Sequence, residues 1–218
     1  MENRESNNHK ISGRVLKEYH SPINGILRLK KLDGKKILNT DHTNYSYGSL
    51  EDVLNYGLDF IPLEDIDSVL LLGMGAGCVI GSLKNRYNCH APITAIEIDP
   101  LLIDIASKEF DIKPSKQLEI IQTDAYDYAL KTFNSYDLVI IDIFIDLHVP
   151  KKFYSDAFWK AISKIITLNG FVLFNTGIDL TEKQVHEFLD RLPDCFLYQV
   201  MFHVYESNTL LILNKFHD

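Results

Sequence analysis

The stretch Val69-Leu70-Leu71-Leu72-Gly73-Met74-Gly75-Ala76-Gly77-Cys78 decides how this 218-residue chain is read. Four consecutive apolar residues run into three glycines at alternate positions. An apolar run without polar alternation marks a strand covered on both faces, as in the centre of a parallel sheet. Glycines directly after such a strand let the backbone turn tightly and approach a ligand with no Cβ between them. A second apolar run, Ile93 to Ile96, ends in Glu97-Ile98-Asp99-Pro100. A carboxylate at the tip of the next strand, about 20 residues on, accepts hydrogen bonds from ribose hydroxyls. Gly73, Gly75, Gly77 and Glu97 are therefore candidate binding residues for an adenosine-bearing cofactor. A plain structural turn would account for one glycine more easily than for three.

The loop departs from the G-x-G-x-x-G dinucleotide pattern, because the third glycine comes one position early, which disfavours NAD. No Lys follows the glycines as a phosphate-binding P-loop requires, which disfavours a P-loop nucleotidase.

Outward from this loop, strand and helix alternate. Strands are expected at 68–73, 92–97, 118–122, 136–142 and 170–175, and helices at 76–87, 100–109, 124–131, 152–167 and 181–191. Asp99 followed by Pro100 is an N-cap with proline in the first turn, and Thr181 with Gln184 fits a capping box. The chain closes with strands at 196–205 and 209–214, joined at 206–208 as a hairpin. The fold class is α/β, a Rossmann-like, mostly parallel sheet with an antiparallel C-terminal hairpin. Upstream, Asn24-Gly25 and Asp33-Gly34 are hairpin turn signals, giving a small N-terminal β-hairpin module over 11–44. It is too small to stand alone and should pack on the Rossmann-like domain, assigned to 45–218. That domain opens with a helix over 45–60 bearing Tyr47, Leu50, Leu54 and Leu58. Residues 1–10 are polar and read as a disordered tail.

The formal charge of −8 argues against a nucleic-acid-binding face. The pairs Lys30-Lys31, Lys35-Lys36 and Lys151-Lys152 read as solvated loop charges. Cys78, Cys89 and Cys195 are too few and too scattered for a disulfide framework, and read as buried free thiols. No His or Cys pair has metal-ligand spacing. With no membrane-length apolar stretch and a polar N-terminus, a cytoplasmic protein that meets no membrane is expected.

Taken in order, Val69 to Ser82, Ala95 to Pro100, Gln122 to Tyr126 and Tyr136 to Asp142 resemble the motifs of class I S-adenosylmethionine-dependent transferases. The resemblance is to the spermidine synthase-like branch, and it reaches upstream to the β-hairpin module and Asn44-Tyr45-Ser46-Tyr47-Gly48. It implies a donor that is S-adenosylmethionine or its decarboxylated form, and a small-molecule acceptor. The glycines would approach the donor's amino-acid or propylamine portion, Glu97 the ribose, and Asp124 with Ala125 the adenine. Asp142 would be catalytic, sitting where the acceptor meets the activated carbon, with Tyr47 and Asp146 lining the acceptor side.

The departures from that branch shape the expectation. Aminopropyl synthases carry G-G-G-D-G, an acid that holds a cationic amine, where this chain has Ala76. Their D-[ST]-x-D-P becomes Asp142-Ile143-Phe144-Ile145-Asp146, and Gly48 replaces a glutamine. Because a buried ammonium needs carboxylates around it, methyl transfer to an unidentified small molecule is the leading expectation. Aminopropyl transfer, making it a polyamine enzyme, is the runner-up. A non-catalytic assembly module, with the hairpin as a homodimer surface, is the third reading.

Overall fold

The computed structural model describes residues 14–32, 34–40, 44–46, 49–145, 147–205 and 208–217. The two turns read near the N-terminus close a four-stranded antiparallel sheet. Its strands are β1 (Arg14–Ser21), β2 (Gly25–Leu32), β3 (Lys35–Asn39) and β4 (Asn44–Ser46). Ser21 pairs with Gly25 across the first turn and Leu32 with Lys35 across the second. Gly25 and Gly34 take positive φ of 67° and 84°, which suits a residue without a Cβ. The helix expected from residue 45 starts later, as α1 (Ser49–Leu58). Residues 44–46 instead pair with the preceding strand β3, Leu38 opposite Ser46, so strand pairing overrides the helical spacing.

The rest of the chain builds a seven-stranded sheet in the order β10-β11-β9-β8-β5-β6-β7. These are β5 (Val69–Leu72), β6 (Ile93–Glu97), β7 (Leu118–Gln122), β8 (Tyr136–Ile141), β9 (Ile166–Gly177), β10 (Phe196–Val204) and β11 (Asn208–Lys215). β5 to β9 run parallel, and β11 runs antiparallel between β9 and β10, so the chain closes in the antiparallel hairpin expected from the sequence. The strand order reverses beside β5, which pairs with β6 on one side and β8 on the other. Open α/β sheets bind ligands at such a reversal, beyond the strand C-termini.

All four residues of β5 are fully buried. Val69 and Leu71 face one core with Leu138 and Ile140, whereas Leu70 and Leu72 face the other with Val139 and Ile141. The strand's two-residue period thus divides one apolar run between two layers. The second layer holds Trp159, 1% exposed, whose Nε1 donates to the Phe153 carbonyl at 3.0 Å. Phe158 packs edge-on against both Trp159 and Phe153, and Tyr126 stacks on Phe158, so Trp159 and Phe158 are core. The Tyr128 and Tyr136 hydroxyls share a hydrogen bond at 2.7 Å.

The remaining helices are α2 (Cys78–Asn85), α3 (Pro100–Glu109), α4 (Ala125–Lys131), α5 (Asp156–Ile165) and α6 (Glu182–Leu189). Asp99 caps α3 and Thr181 closes a reciprocal capping box with Gln184, both as expected. The single helix expected over 152–167 is instead a 3₁₀ turn (Lys151–Tyr154), a Ser155 cap and α5. β9 then begins at Ile166, earlier than expected, because Ile166 pairs with Tyr136 before a register shift. Of the hairpin turn expected at 206–208, residues 206 and 207 lie outside the described residues.

The four-stranded sheet docks on α3. Leu27, Leu29 and Leu38 pack with Ala76, Leu102 and Ile105 in a small buried cluster. Tyr19 donates to Glu109 at 3.0 Å and Lys36 pairs with the same carboxylate at 2.8 Å.

Candidate donor and acceptor cleft

Strand tips at the reversal point set the site. Gly73 follows β5 with φ +88°, and a Cβ there would lie 2.3 Å from the Asp142 carbonyl oxygen. Only glycine lets β5 and the end of β8 come this close. The Gly75 amide, at φ +54°, donates to Glu97 Oε2 at 2.8 Å. Glu97 Oε1 accepts the Asp99 amide at 2.9 Å. Glu97 is 6% exposed yet lines the cleft above the glycines. Burial pushes its carboxyl up from the usual range, opposed by the amide bonds. A carboxylate has about four acceptor sites, so those left by the two amides remain for a ligand.

Asp99, fully buried, ties the site to the N-terminal sheet. Its Oδ1 accepts the Leu101 amide at 2.9 Å, and its Oδ2 accepts from Ser21 Oγ and from Asn24 Nδ2 at 2.7 Å. These bonds bring Ile23 and Asn24 to the cleft wall.

On the other side, Asp124 caps α4, with Oδ1 accepting the Tyr126 amide at 2.8 Å. Its Oδ2 accepts from Lys152 Nζ, and both residues line the cleft with Ala125. Burial works against ionisation of Asp124, but Lys152 and the amides of α4 outweigh it and hold the carboxyl low. Lys152, exposed as its sequence context implied, is also a cleft residue.

Asp142 sits at the tip of β8. Burial raises its carboxyl to about 6, opposed by a hydrogen bond from Asn175 Nδ2 at 3.0 Å. Asn175 is fully buried, and its Oδ1 accepts the Gly177 amide at 3.0 Å, which fixes the side chain that holds Asp142. Ile143, Phe144 and Phe153 supply apolar wall beside Asp142. The cleft opens to solvent, and the empty space within and in front of it is about 1020 Å³.

Gly73, Gly75, Glu97, Asp124, Ala125 and Asp142 therefore meet in one cleft. Gly77 does not. It caps α2 at φ +85°, lines a neighbouring groove, and a Cβ there would lie 2.8 Å from the Ile112 side chain. Tyr47 and Asp146 lie outside the described residues. His148 is mostly exposed and paired with Asp179, which also accepts the Val149 amide and so fastens the loop after β8. Cys78, read as buried, is half-exposed in the cleft wall, while Cys89 and Cys195 are buried thiols. The sequence also gave no sign of Glu51, which reaches the cleft from α1. Among the described residues no helix is long and apolar enough to cross a membrane, and no cluster of His, Cys, Asp and Glu could hold a metal.

Residues 48–211 match the spermine/spermidine synthase domain. The chain belongs to that family. Among its relatives, the eEF1A lysine and N-terminal methyltransferase homolog of Drosophila melanogaster is 28% identical over 124 residues, 52% of this chain and 18% of that protein. A polyamine aminopropyltransferase of Vibrio vulnificus (strain CMCP6) is 27% identical over 124 residues, 55% of this chain and 40% of that protein. The matched stretches thus span less than half of either relative. A probable spermidine synthase from Corynebacterium glutamicum ATCC 13032 shares the fold at TM-score 0.73 and 16% identity, over 91% of this chain and 79% of that one. The spermine/spermidine synthase domain lies within the class I S-adenosylmethionine-dependent transferases, as the motif resemblance implied, and the family's donors are S-adenosylmethionine and its decarboxylated form.

The cleft's own chemistry fits such a donor. Glu51, Glu97, Asp124 and Asp142 line it against one ammonium, Lys152, among the described lining residues. That excess of carboxylates suits a cationic ligand. Apolar walls for a purine and free acceptor sites on Glu97 for hydroxyls complete the match.

Proposed function

We propose that this chain binds S-adenosylmethionine and transfers its methyl group to a small-molecule nucleophile. The observation that carries methyl over aminopropyl transfer is Ala76. It is 1% exposed and packs among Leu27, Leu29 and Leu38, so the loop has no acid for a cationic amine. A diamine acceptor would bring ammonium groups beyond the donor's own into a cleft whose glycine loop lacks that anchor.

When bound, the donor supplies a methyl carbon activated by its sulfonium, which is displaced in line as a neutral thioether leaves. Glu97 accepts the ribose hydroxyls, and Gly73 and Gly75 keep side chains out of the donor's path. Asp142, raised to about 6 and held by Asn175, takes the proton that an amine nucleophile gives up as its bond to carbon forms. Phe144 and Ile143 beside it exclude water and narrow the approach to one line.

The carboxylate excess and the aminopropyltransferase relatives support a second reading, aminopropyl transfer from decarboxylated S-adenosylmethionine. The test is a side-by-side assay of both donors, each with putrescine and with a panel of small amines. Methylated product from S-adenosylmethionine, without spermidine from the decarboxylated donor, is expected. Spermidine formation at a comparable rate would overturn the preference.

A further inference from the structure

We propose that Glu51 receives the ammonium group on the donor's tail, replacing from α1 the acid that the glycine loop lacks. This rests on the reading that the cleft binds S-adenosylmethionine. The loop itself cannot supply the group, because Ala76 is turned into the cluster with Leu102 and Ile105 and does not line the cleft.

The other carboxylates of the cleft are committed elsewhere. Glu97 holds the Gly75 and Asp99 amides. Asp124 is paired with Lys152 and capped onto α4. Asp142 is held by Asn175 at the tip of β8. Glu51, like Asp142, accepts a single neutral bond, but it reaches the cleft from α1 through Ser82 of α2, whereas Asp142 stands at the tip of β8 as the proposed base. Glu51 Oε1 accepts a neutral hydroxyl bond from Ser82 Oγ at 2.9 Å, and Ser82 is 4% exposed, so that oxygen is fixed. Its other oxygen has no protein partner among the described residues.

Glu51 lines the cleft together with Met74, Gly75, Cys78 and Val79, the segment that a donor's tail would follow from the ribose at Glu97. An ammonium drawn out of water there requires a carboxylate within reach. Ser82 orients Glu51 without neutralising it, as a receptor for a cation needs.

The test compares two probes by calorimetry. S-adenosylhomocysteine carries the tail ammonium, whereas 5′-methylthioadenosine keeps the nucleoside and sulfur but lacks the tail. Glu51→Gln should weaken S-adenosylhomocysteine about 10- to 100-fold, the scale of one charged hydrogen bond. Its affinity for 5′-methylthioadenosine should not change, which also shows that the variant is folded. Glu51→Asp should fall between wild type and Glu51→Gln for S-adenosylhomocysteine. Equal losses for both probes, or none for S-adenosylhomocysteine, would overturn the assignment while the cofactor reading stands. A wild-type chain that binds neither probe overturns both.

Discussion

At the scale of single residues, Asp142 and Gly73 carry the account's sharpest consequences. The native state binds the Asp142 proton more tightly than an unfolded chain, since burial lifts the carboxyl from 3.8 to about 6. Ionised Asp142 therefore costs stability above pH 6, and that cost disappears as pH falls toward 4. Asp142→Asn should be more stable than wild type near neutral pH by about 1–3 kcal/mol, with the gap closing by pH 4, read by urea denaturation at both pH values. The same substitution should lower turnover by about 10²- to 10⁴-fold, and wild-type turnover should fall as pH drops through 6. Gly73→Ala should cost about 3 kcal/mol or more, because a Cβ collides with fixed backbone at positive φ. Gly77→Ala should cost less, about 1–2 kcal/mol, since the left-handed φ strains an alanine there but the nearest obstacle is the Ile112 side chain and not backbone. Gly73, Gly75 and Glu97 were legible in the sequence because each stands at a strand end marked by an apolar run. Lys152 and Glu51 were not, because each reaches the cleft through contacts with residues remote in sequence, Asp124 and Ser82. Gly77 was misplaced for a related reason. Its spacing is that of a loop glycine, but its left-handed φ serves the start of α2.

At the scale of elements, capping and docking separate. Thr181 caps α6 far from the cleft, so Thr181→Ala should lose about 1 kcal/mol of stability and leave ligand binding intact. Asp99 caps α3 and also accepts from Ser21 and Asn24, so Asp99→Ala should cost about 2–4 kcal/mol and weaken nucleoside binding as well. Thermal melts with and without S-adenosylhomocysteine distinguish the two. Elements with strong local signals matched their sequence assignments closely, as α3 with its Asp99-Pro100 start shows. The misjudged elements were those set by strand pairing. β4 forms against β3 where helical spacing was read, and β9 is lengthened by pairing with β8 at Ile166.

At the scale of the whole molecule, a small antiparallel sheet packs on α3 and brings Asn24 to the cleft wall, while the parallel sheet presents its strand tips. The parallel sheet with its antiparallel ending was legible because apolar strands and capped helices alternate along the chain. The closing of the cleft by the N-terminal sheet was not, because it depends on Leu27, Leu29 and Leu38 meeting Leu102 and Ile105 across the fold. The cleft's carboxylate excess predicts that rising salt weakens S-adenosylmethionine more than uncharged-sulfur S-adenosylhomocysteine, a difference calorimetry at low and high salt can read. Before any of these, one titration tests the central claim, that the strand tips around Gly75 and Glu97 hold a sulfonium nucleoside. Wild-type protein titrated calorimetrically with S-adenosylmethionine should show saturable one-to-one binding. No heat of binding up to millimolar ligand would contradict the account.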